Sequence, residues 1–283
     1  MQSPLDRTIA ELKEALSESE LLKPDVLFLM ATGTQHLIDH LGDPRELELD
    51  TLSAIPAPWR QTKLHTGTLG NLNVWALDDC VGDPGVLQAP DAPWSSAFPV
   101  WWAAEAGAAL CVHTSAGSAL DSESSAGFAL LSDHINLSGR SPLLGLGPSD
   151  LGPLFPDQTG LHHVGLRHAA LQQAMLLGLE AREVVAACTS GPALETAAER
   201  RMLASLGADV SVQALAAPLI ACAHAGLACL SMVSVSPAPS DSCDLEWLVH
   251  QAAHAGPQLN QWILAMLPDI EQAIHTLREE LLT

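Results

Sequence analysis

Short apolar runs set between helix-patterned segments constrain this chain more than any other feature. Val26-Leu27-Phe28-Leu29-Met30, Asn73 to Leu77, Ala109 to His113, Phe128 to Leu131, Val184 to Cys188, Val210 to Gln213 and Leu227 to Val235 are each too short for a core helix. Gly, Pro, Ser, Thr or Asp borders most of them. Runs of that length with such borders are strands buried on both faces. Val100 to Ala108, Leu161 to Glu180 and Glu195 to Leu206 carry helical spacing between them. Strands alternating with helices predict an α/β fold, a central mixed β-sheet flanked by helices. No repeat and no linker breaks the pattern, so residues 1–283 are expected to form a single domain.

The ends and joints follow from local chemistry. Ser3-Pro4 is an N-cap followed by a first-turn proline. It predicts an N-terminal helix inside residues 1–24, running to about Leu22, with Ile9, Leu12 and Leu16 on one side. A short helix is expected from His36 to Leu41. Thr114 to Ser118 and Ser132 to His134 read as turns that end strands. Residues 78–96 are rich in Asp, Gly and Pro without any period, which predicts a variable loop. The C-terminus reads as helical with a break at Pro268.

Composition narrows the function. Hydrophobic residues make up 48% of the chain and charged ones 16%, which excludes disorder. Asp and Glu number 33 against 12 Lys and Arg, a formal charge of -21. Nucleic acid and anionic membrane surfaces need a basic face, so neither is an expected partner. No apolar stretch reaches the roughly 18–20 residues that span a bilayer. The acidic first two dozen residues are unlike a secretory leader. Six scattered cysteines without a CxxC pair predict reduced thiols in a cytoplasmic protein.

Histidines stand at metal-ligand spacings in three places. His36 and His40 stand four apart with Asp39 between them, His162, His163 and His168 form a cluster, and His250 and His254 are another pair. The His36–His40 pair shows no third ligand, and 12 histidines in an acidic chain produce such spacings by chance, so no metal is expected. No GxSxG elbow supports a serine hydrolase.

Two longer stretches carry a resemblance. Ser132-Asp133-His134-Ile135-Asn136-Leu137-Ser138-Gly139 and Gly191-Pro192-Ala193-Leu194-Glu195-Thr196 resemble the two signatures of the trimeric purine nucleoside phosphorylase and methylthioadenosine phosphorylase family. Leu206-Gly207-Ala208-Asp209 and His224-Ala225-Gly226-Leu227 follow at the family's spacing, and the likeness spans roughly residues 25 to 267. It implies a nucleoside phosphorylase-like fold in a homotrimer. It also implies pentosyl transfer in purine salvage: a purine nucleoside is cleaved by phosphate to free base and sugar 1-phosphate. Phosphate is then a co-substrate, and no cofactor is expected.

The resemblance also implies site residues. Ala31-Thr32-Gly33-Thr34-Gln35 matches a Gly-Ser-Gly-Leu-Gly phosphate turn, so Thr32 and Gly33 are expected at phosphate. Thr114 to Ser118 matches Asn-Ala-Ala-Gly-Gly, which places Ala116 there too. Leu194, Glu195 and Gln213 are the expected nucleoside contacts, Glu195 to the purine and Gln213 at the sugar. Departures fall mainly on phosphate. Cys80 and Gly82 stand where the family has arginine and histidine, Ala214 replaces a serine, and Pro237 or a neighbour replaces the base-contacting asparagine. Arginine's bidentate fork has no substitute in cysteine. Three readings therefore stand side by side: a divergent phosphorylase with a degraded phosphate site, an inactive member that binds a ligand or partner in the same cleft, and a nucleoside hydrolase. Glu195 has a second reading as a cap near a helix N-terminus, and Asp133, His134 and Asn136 as buried hydrogen-bonded scaffold.

Overall fold

The structure is a computed structural model that describes residues 3–17, 21–30, 34–78, 92–121, 127–237 and 245–280. Its strands are β1 (Val26–Met30), β2 (Gly42–Glu48), β3 (Lys63–Leu69), β4 (Leu72–Asp78), β5 (Leu110–Ala119), β6 (Gly127–Asn136), β7 (Ala181–Thr189), β8 (Val210–Gln213) and β9 (Ala228–Ser236). Its helices are α1 (Pro4–Ser17), α2 (Phe98–Ala106), α3 (Val164–Leu176), α4 (Ala197–Ser205), α5 (Ala216–Ala225), α6 (Leu245–Ala265) and α7 (Leu267–Glu280).

The strands form one mixed sheet in the order β2-β3-β4-β1-β5-β8-β7-β6-β9. β9 also pairs with β5 in parallel, from Leu110↔Ala228 to Ser118↔Ser236. The segment β5-β8-β7-β6-β9 therefore closes into a five-strand ring, and β2-β3-β4-β1 extends from it as a wing. Closure removes the free edges that these apolar strands would otherwise expose.

β1 shows why the runs are continuous rather than alternating. Leu27 and Leu29 face one apolar cluster with Trp75, Trp101, Trp102 and the buried side of α1. Val26, Phe28 and Met30 face the other, with Leu166 and Ala170 of α3 and Trp262 of α6. Helices cover the sheet on both faces, so every position must be apolar. α2 is almost wholly apolar because most of it is enclosed: Phe98, Val100, Trp101 and Trp102 are all buried, and its one charged residue, Glu105, is exposed and pairs with Lys13.

Several boundaries differ from the sequence expectation. α1 is capped as expected, with Asp6 N–H donating to Ser3 Oγ at 3.1 Å; it is described from Pro4 to Ser17, and Leu22 is not helical. Ile9 and Leu12 are buried, and the Leu16 side chain lies outside the described set. β2 and β3 were not expected. β2 is a mostly exposed edge strand of Gly, Asp, Pro, Arg and Glu whose single apolar residue, Leu47, is half-buried, so it has no apolar run to read. Residues Gln35–His40 form a 3-10 helix. α3 starts at Val164 because His163 caps it, its Nδ1 accepting from Leu166 N–H at 3.1 Å. The C-terminal break falls at Met266, and Pro268 sits in the first turn of α7, where proline is tolerated. Thr114 to Ser118 and Ser132 to His134 are not turns but parts of β5 and β6. Of the loop expected over 78–96, residues 79–91 lie outside the described set, and Pro93–Ala97 is a 3-10 helix.

Candidate functional site

β5 changes partner in mid-strand. Leu110–His113 pairs with β1, and Gly117–Ala119 pairs antiparallel with β8. β1 ends at Met30 and β8 at Gln213, so the two approach from opposite directions along the same side of β5. Among the described residues, Thr114, Ser115 and Ala116 pair with β9 on one side and with no strand on the other. Clefts in α/β sheets open where neighbouring strands part in this way. Thr114 is buried and its Oγ1 lies 2.8 Å from Thr34 Oγ1. That bond holds the segment after β1 against β5. Thr32 and Gly33 lie outside the described residues, between Met30 and Thr34, as do Cys80 and Gly82. Ala116 is described and exposed.

The second wall is built by the end of β7. Thr189 pairs with Gln213, and Ala214 N–H donates to the Thr189 carbonyl at 2.8 Å. Gln213 Nε2 donates to the Ala193 carbonyl at 3.0 Å, which folds residues 190–196 back over β8. Gly191 permits the approach. Its φ is +59°, and a Cβ there would stand 2.2 Å from Gln213 Oε1. Ala214 has φ +61°, a left-handed conformation that costs an alanine about 1–2 kcal/mol. Such strain collects at ligand sites.

Leu194 and Glu195 are half-buried on this folded-back segment. Glu195 Oε1 accepts from Thr189 Oγ1 at 3.1 Å, and its carbonyl accepts from Arg200 Nη1 at 3.2 Å. Glu195 is not the helix cap. Thr196 is, accepting from Glu199 N–H at 3.2 Å while Glu199 Oε2 accepts from Thr196 N–H at 2.7 Å. Ala116 and Gln213 each stand one residue beyond the Gly117↔Val212 pair, so Ala116, Leu194, Glu195 and Gln213 gather at the open end of β8. Sequence reasoning missed Thr189, which orients the carboxylate, and the Thr34–Thr114 pair. A hydroxyl at a strand end ahead of Gly191-Pro192 was the available signal for Thr189. The expected base-contact position, Pro237, is half-buried just beyond β9.

Polar side chains of the first signature are taken up by hydrogen bonds within the fold. Ser132 Oγ donates to the Val184 carbonyl at 3.0 Å, and Asn136 Nδ2 to the Arg140 carbonyl at 3.0 Å. Ser138 Oγ donates to Asn136 Oδ1 at 2.6 Å. The scaffold is not buried as expected: Asp133 and Asn136 are exposed, and only His134 is partly covered.

The profile of the phosphorylase superfamily matches residues 29–264. A purine nucleoside phosphorylase of Mycobacterium leprae is 37% identical over 224 residues, covering 76% of this chain and 77% of the relative. The chain belongs to the purine nucleoside phosphorylase family. Purine nucleoside phosphorylase 1 of Bacillus subtilis is 27% identical over 248 residues, 86% of this chain and 89% of that one. Isoform 2 of the Schistosoma mansoni purine nucleoside phosphorylase, solved with cytosine and ribose-1-phosphate, superposes with a TM-score of 0.80. It covers 93% of this chain and 96% of its own at 22% identity, a likeness of fold. In this family member the open end of β8 offers a fixed carboxylate, an amide side chain, an apolar side chain and strand backbone. That set suits a flat, polar-edged heterocycle.

Proposed function

We propose that this cleft binds a purine nucleoside, with Glu195 accepting hydrogen bonds from the base, Leu194 alongside it, and Gln213 at the sugar. Thr32, Gly33 and Ala116 are the proposed phosphate contacts. The observation that carries this reading is the half-buried Glu195 carboxylate, held by Thr189 and released from capping by Thr196. Phosphorolysis, the family's reaction, is proposed to be impaired. Cys80, Gly82 and Ala214 supply none of the fixed charge or hydroxyl that a phosphate dianion needs. The reaction as proposed needs no cofactor beyond phosphate itself.

The test joins calorimetric binding of guanosine, inosine and their free bases with free-base release at high enzyme concentration, with and without phosphate. Binding is expected, with slow, phosphate-dependent release. Glu195→Gln is expected to weaken binding about 10- to 100-fold, the worth of hydrogen bonds to a charged group. Unaltered binding in that variant would overturn the base contact. Turnover near the roughly 10 s⁻¹ typical of enzymes would overturn the impaired phosphate site. Release independent of phosphate would identify a hydrolase instead.

A homotrimer in the cytoplasm belongs to the same proposal. Leu144, Leu154 and Phe155, the last 88% exposed, stand on one surface stretch and supply apolar area for association. The described cysteines Cys111, Cys188, Cys222 and Cys229 are free and buried, as a reducing compartment keeps them, and burial pushes the Cys188 thiol up to about 12. No described helix is long and apolar enough to cross a membrane.

A further inference from the structure

We propose that Asp133, His134 and His162 form a binding site for a divalent transition-metal ion of the zinc type. None of the three is among the nucleoside cleft residues, and the site rests on a different set of observations. His134 and Asp133 belong to β6, and His162 comes from the segment before α3. Their candidate ligand atoms all lie within 4.8 Å of one another, the only such group of three among the described residues.

The distances suit metal. His134 Nδ1 and His162 Nε2 are 3.2 Å apart. Two imidazole nitrogens bound to one tetrahedral ion at 2.0–2.1 Å stand about 3.3–3.4 Å from each other. The rings meet edge to face, 74° between planes, with these two nitrogens at the point of approach. Asp133 and His134 are neighbours on a strand and would normally point to opposite faces. The register shift before Asp133 leaves both residues in regular register with β7, but the Asp133 side chain bends back along the strand, its Oδ1 accepting from His134 N–H at 2.7 Å. The carboxylate is thereby brought to the imidazole pair.

The ligands are also held. His162 is 6% exposed, and its backbone is locked to β9 on both sides. Cys229 N–H donates to the Leu161 carbonyl, and His163 N–H to the Cys229 carbonyl, each at 3.0 Å. His162 Nδ1 is buried with no hydrogen-bond partner, so the protein has invested a nearly inaccessible polar ring whose one directed contact is the other imidazole. Two nitrogens, one exposed carboxylate and an open fourth position make a site of intermediate affinity, reachable from solvent through Asp133. By composition it suits zinc, cobalt(II) or nickel(II) over calcium or magnesium, which prefer all-oxygen shells.

The test uses the full chain, freed of metal by chelation and dialysis. Cobalt(II) is titrated in while visible d–d bands are followed, and zinc chloride is titrated by calorimetry and as a competitor. One equivalent per chain is expected, with zinc displacing cobalt. His162→Ala and His134→Ala should each weaken zinc binding by more than about 100-fold, beyond the 10- to 100-fold that loss of an outer-shell partner costs. Asp133→Asn, at an exposed position, is the variant that keeps the test decisive if the buried histidine proves necessary for folding. His36→Ala is the control, because His36 and Asp39 form an exposed pair at 3.1 Å. Absence of the cobalt spectrum, affinity unchanged in the His134 and Asp133 variants, or affinity lost in the His36 variant would each overturn the site. Nucleoside binding is measured in the same samples and is expected to be unaltered.

Discussion

Glu195 and Thr196 are adjacent, yet the chain divides two tasks between them. The Thr196 hydroxyl takes the capping role, which leaves the Glu195 carboxylate to lean on Thr189 at 3.1 Å. Thr189→Val removes that donor while keeping the shape, and is expected to weaken nucleoside binding about 10-fold with little loss of stability; calorimetry beside thermal melting separates the two. His224 is a residue-scale case of a different kind. Its Nδ1 accepts from Trp101 Nε1 at 2.9 Å, which only the neutral ring can do. Burial holds its pKa below the usual 6.5, with Asp6 opposing weakly, and burial lowers His134, His162 and His163 as well. A depressed histidine pKa means that stability is full above about pH 6.5 and falls as pH drops through the folded value. Melting temperature is therefore expected to decline from pH 7.5 to 5.5. His224→Phe should be less stable at pH 7.5 but show a shallower decline; an unchanged slope would assign the acid loss to other groups.

Among the elements, α4 carries the site by its N-terminus. Removing the cap with Thr196→Ala is expected to cost about 0.5–2 kcal/mol in urea unfolding. The same change should weaken nucleoside binding, because the cap anchors residues 190–196. The segment from Ser149 to Gly152 is fixed as tightly. A Cβ on Gly152 would lie 1.7 Å from the His224 carbonyl oxygen, backbone that cannot move aside cheaply. Gly152→Ala is expected to destabilise by about 1–3 kcal/mol or more, read as a lower urea midpoint with an unchanged slope. Strands such as β1 and β4 were legible because burial on both faces demands unbroken apolar runs. β2 was not, because an edge strand is built from charge: Lys63 Nζ pairs with Glu46 at 2.6 Å and Glu48 at 2.8 Å. β5 was cut short in sequence because Thr-Ser-Ala-Gly-Ser is turn chemistry. In the fold the same small residues let β8 close in, and a Cβ on Gly117 would stand 2.9 Å from the Ser211 carbonyl oxygen.

For the molecule as a whole, ring closure and charge dominate. Arg167 of α3 and Glu183 of β7 form a largely buried ion pair that ties a covering helix to the ring. Arg167→Met leaves the carboxylate without its partner and is expected to cost about 3–5 kcal/mol in urea unfolding. A formal charge of -21 on a compact body repels itself. Raising sodium chloride from about 10 to 150 mM shortens the Debye length from about 30 to 8 Å and should raise the melting temperature. A flat salt response would show that the acidic groups are already spaced or paired well enough to cancel.

The sequence by itself determined the fold class, most strands and the family, because burial on both sheet faces and a signature stretch are local properties of the chain. The tertiary structure alone decided that the sheet closes through β5 and β9, that β5 exchanges β1 for β8 beside Ala116, and that Thr189 reaches Glu195. It also re-paired the histidines. His36 and His40 lie on a 3-10 turn, His168, His250 and His254 are exposed, and His163 caps a helix, while His162 meets His134 from 28 positions away. Spacing along a chain reports neighbours on one helix. Contacts between a strand bulge and a distant loop depend on how the whole sheet twists and closes, and no local pattern encodes that.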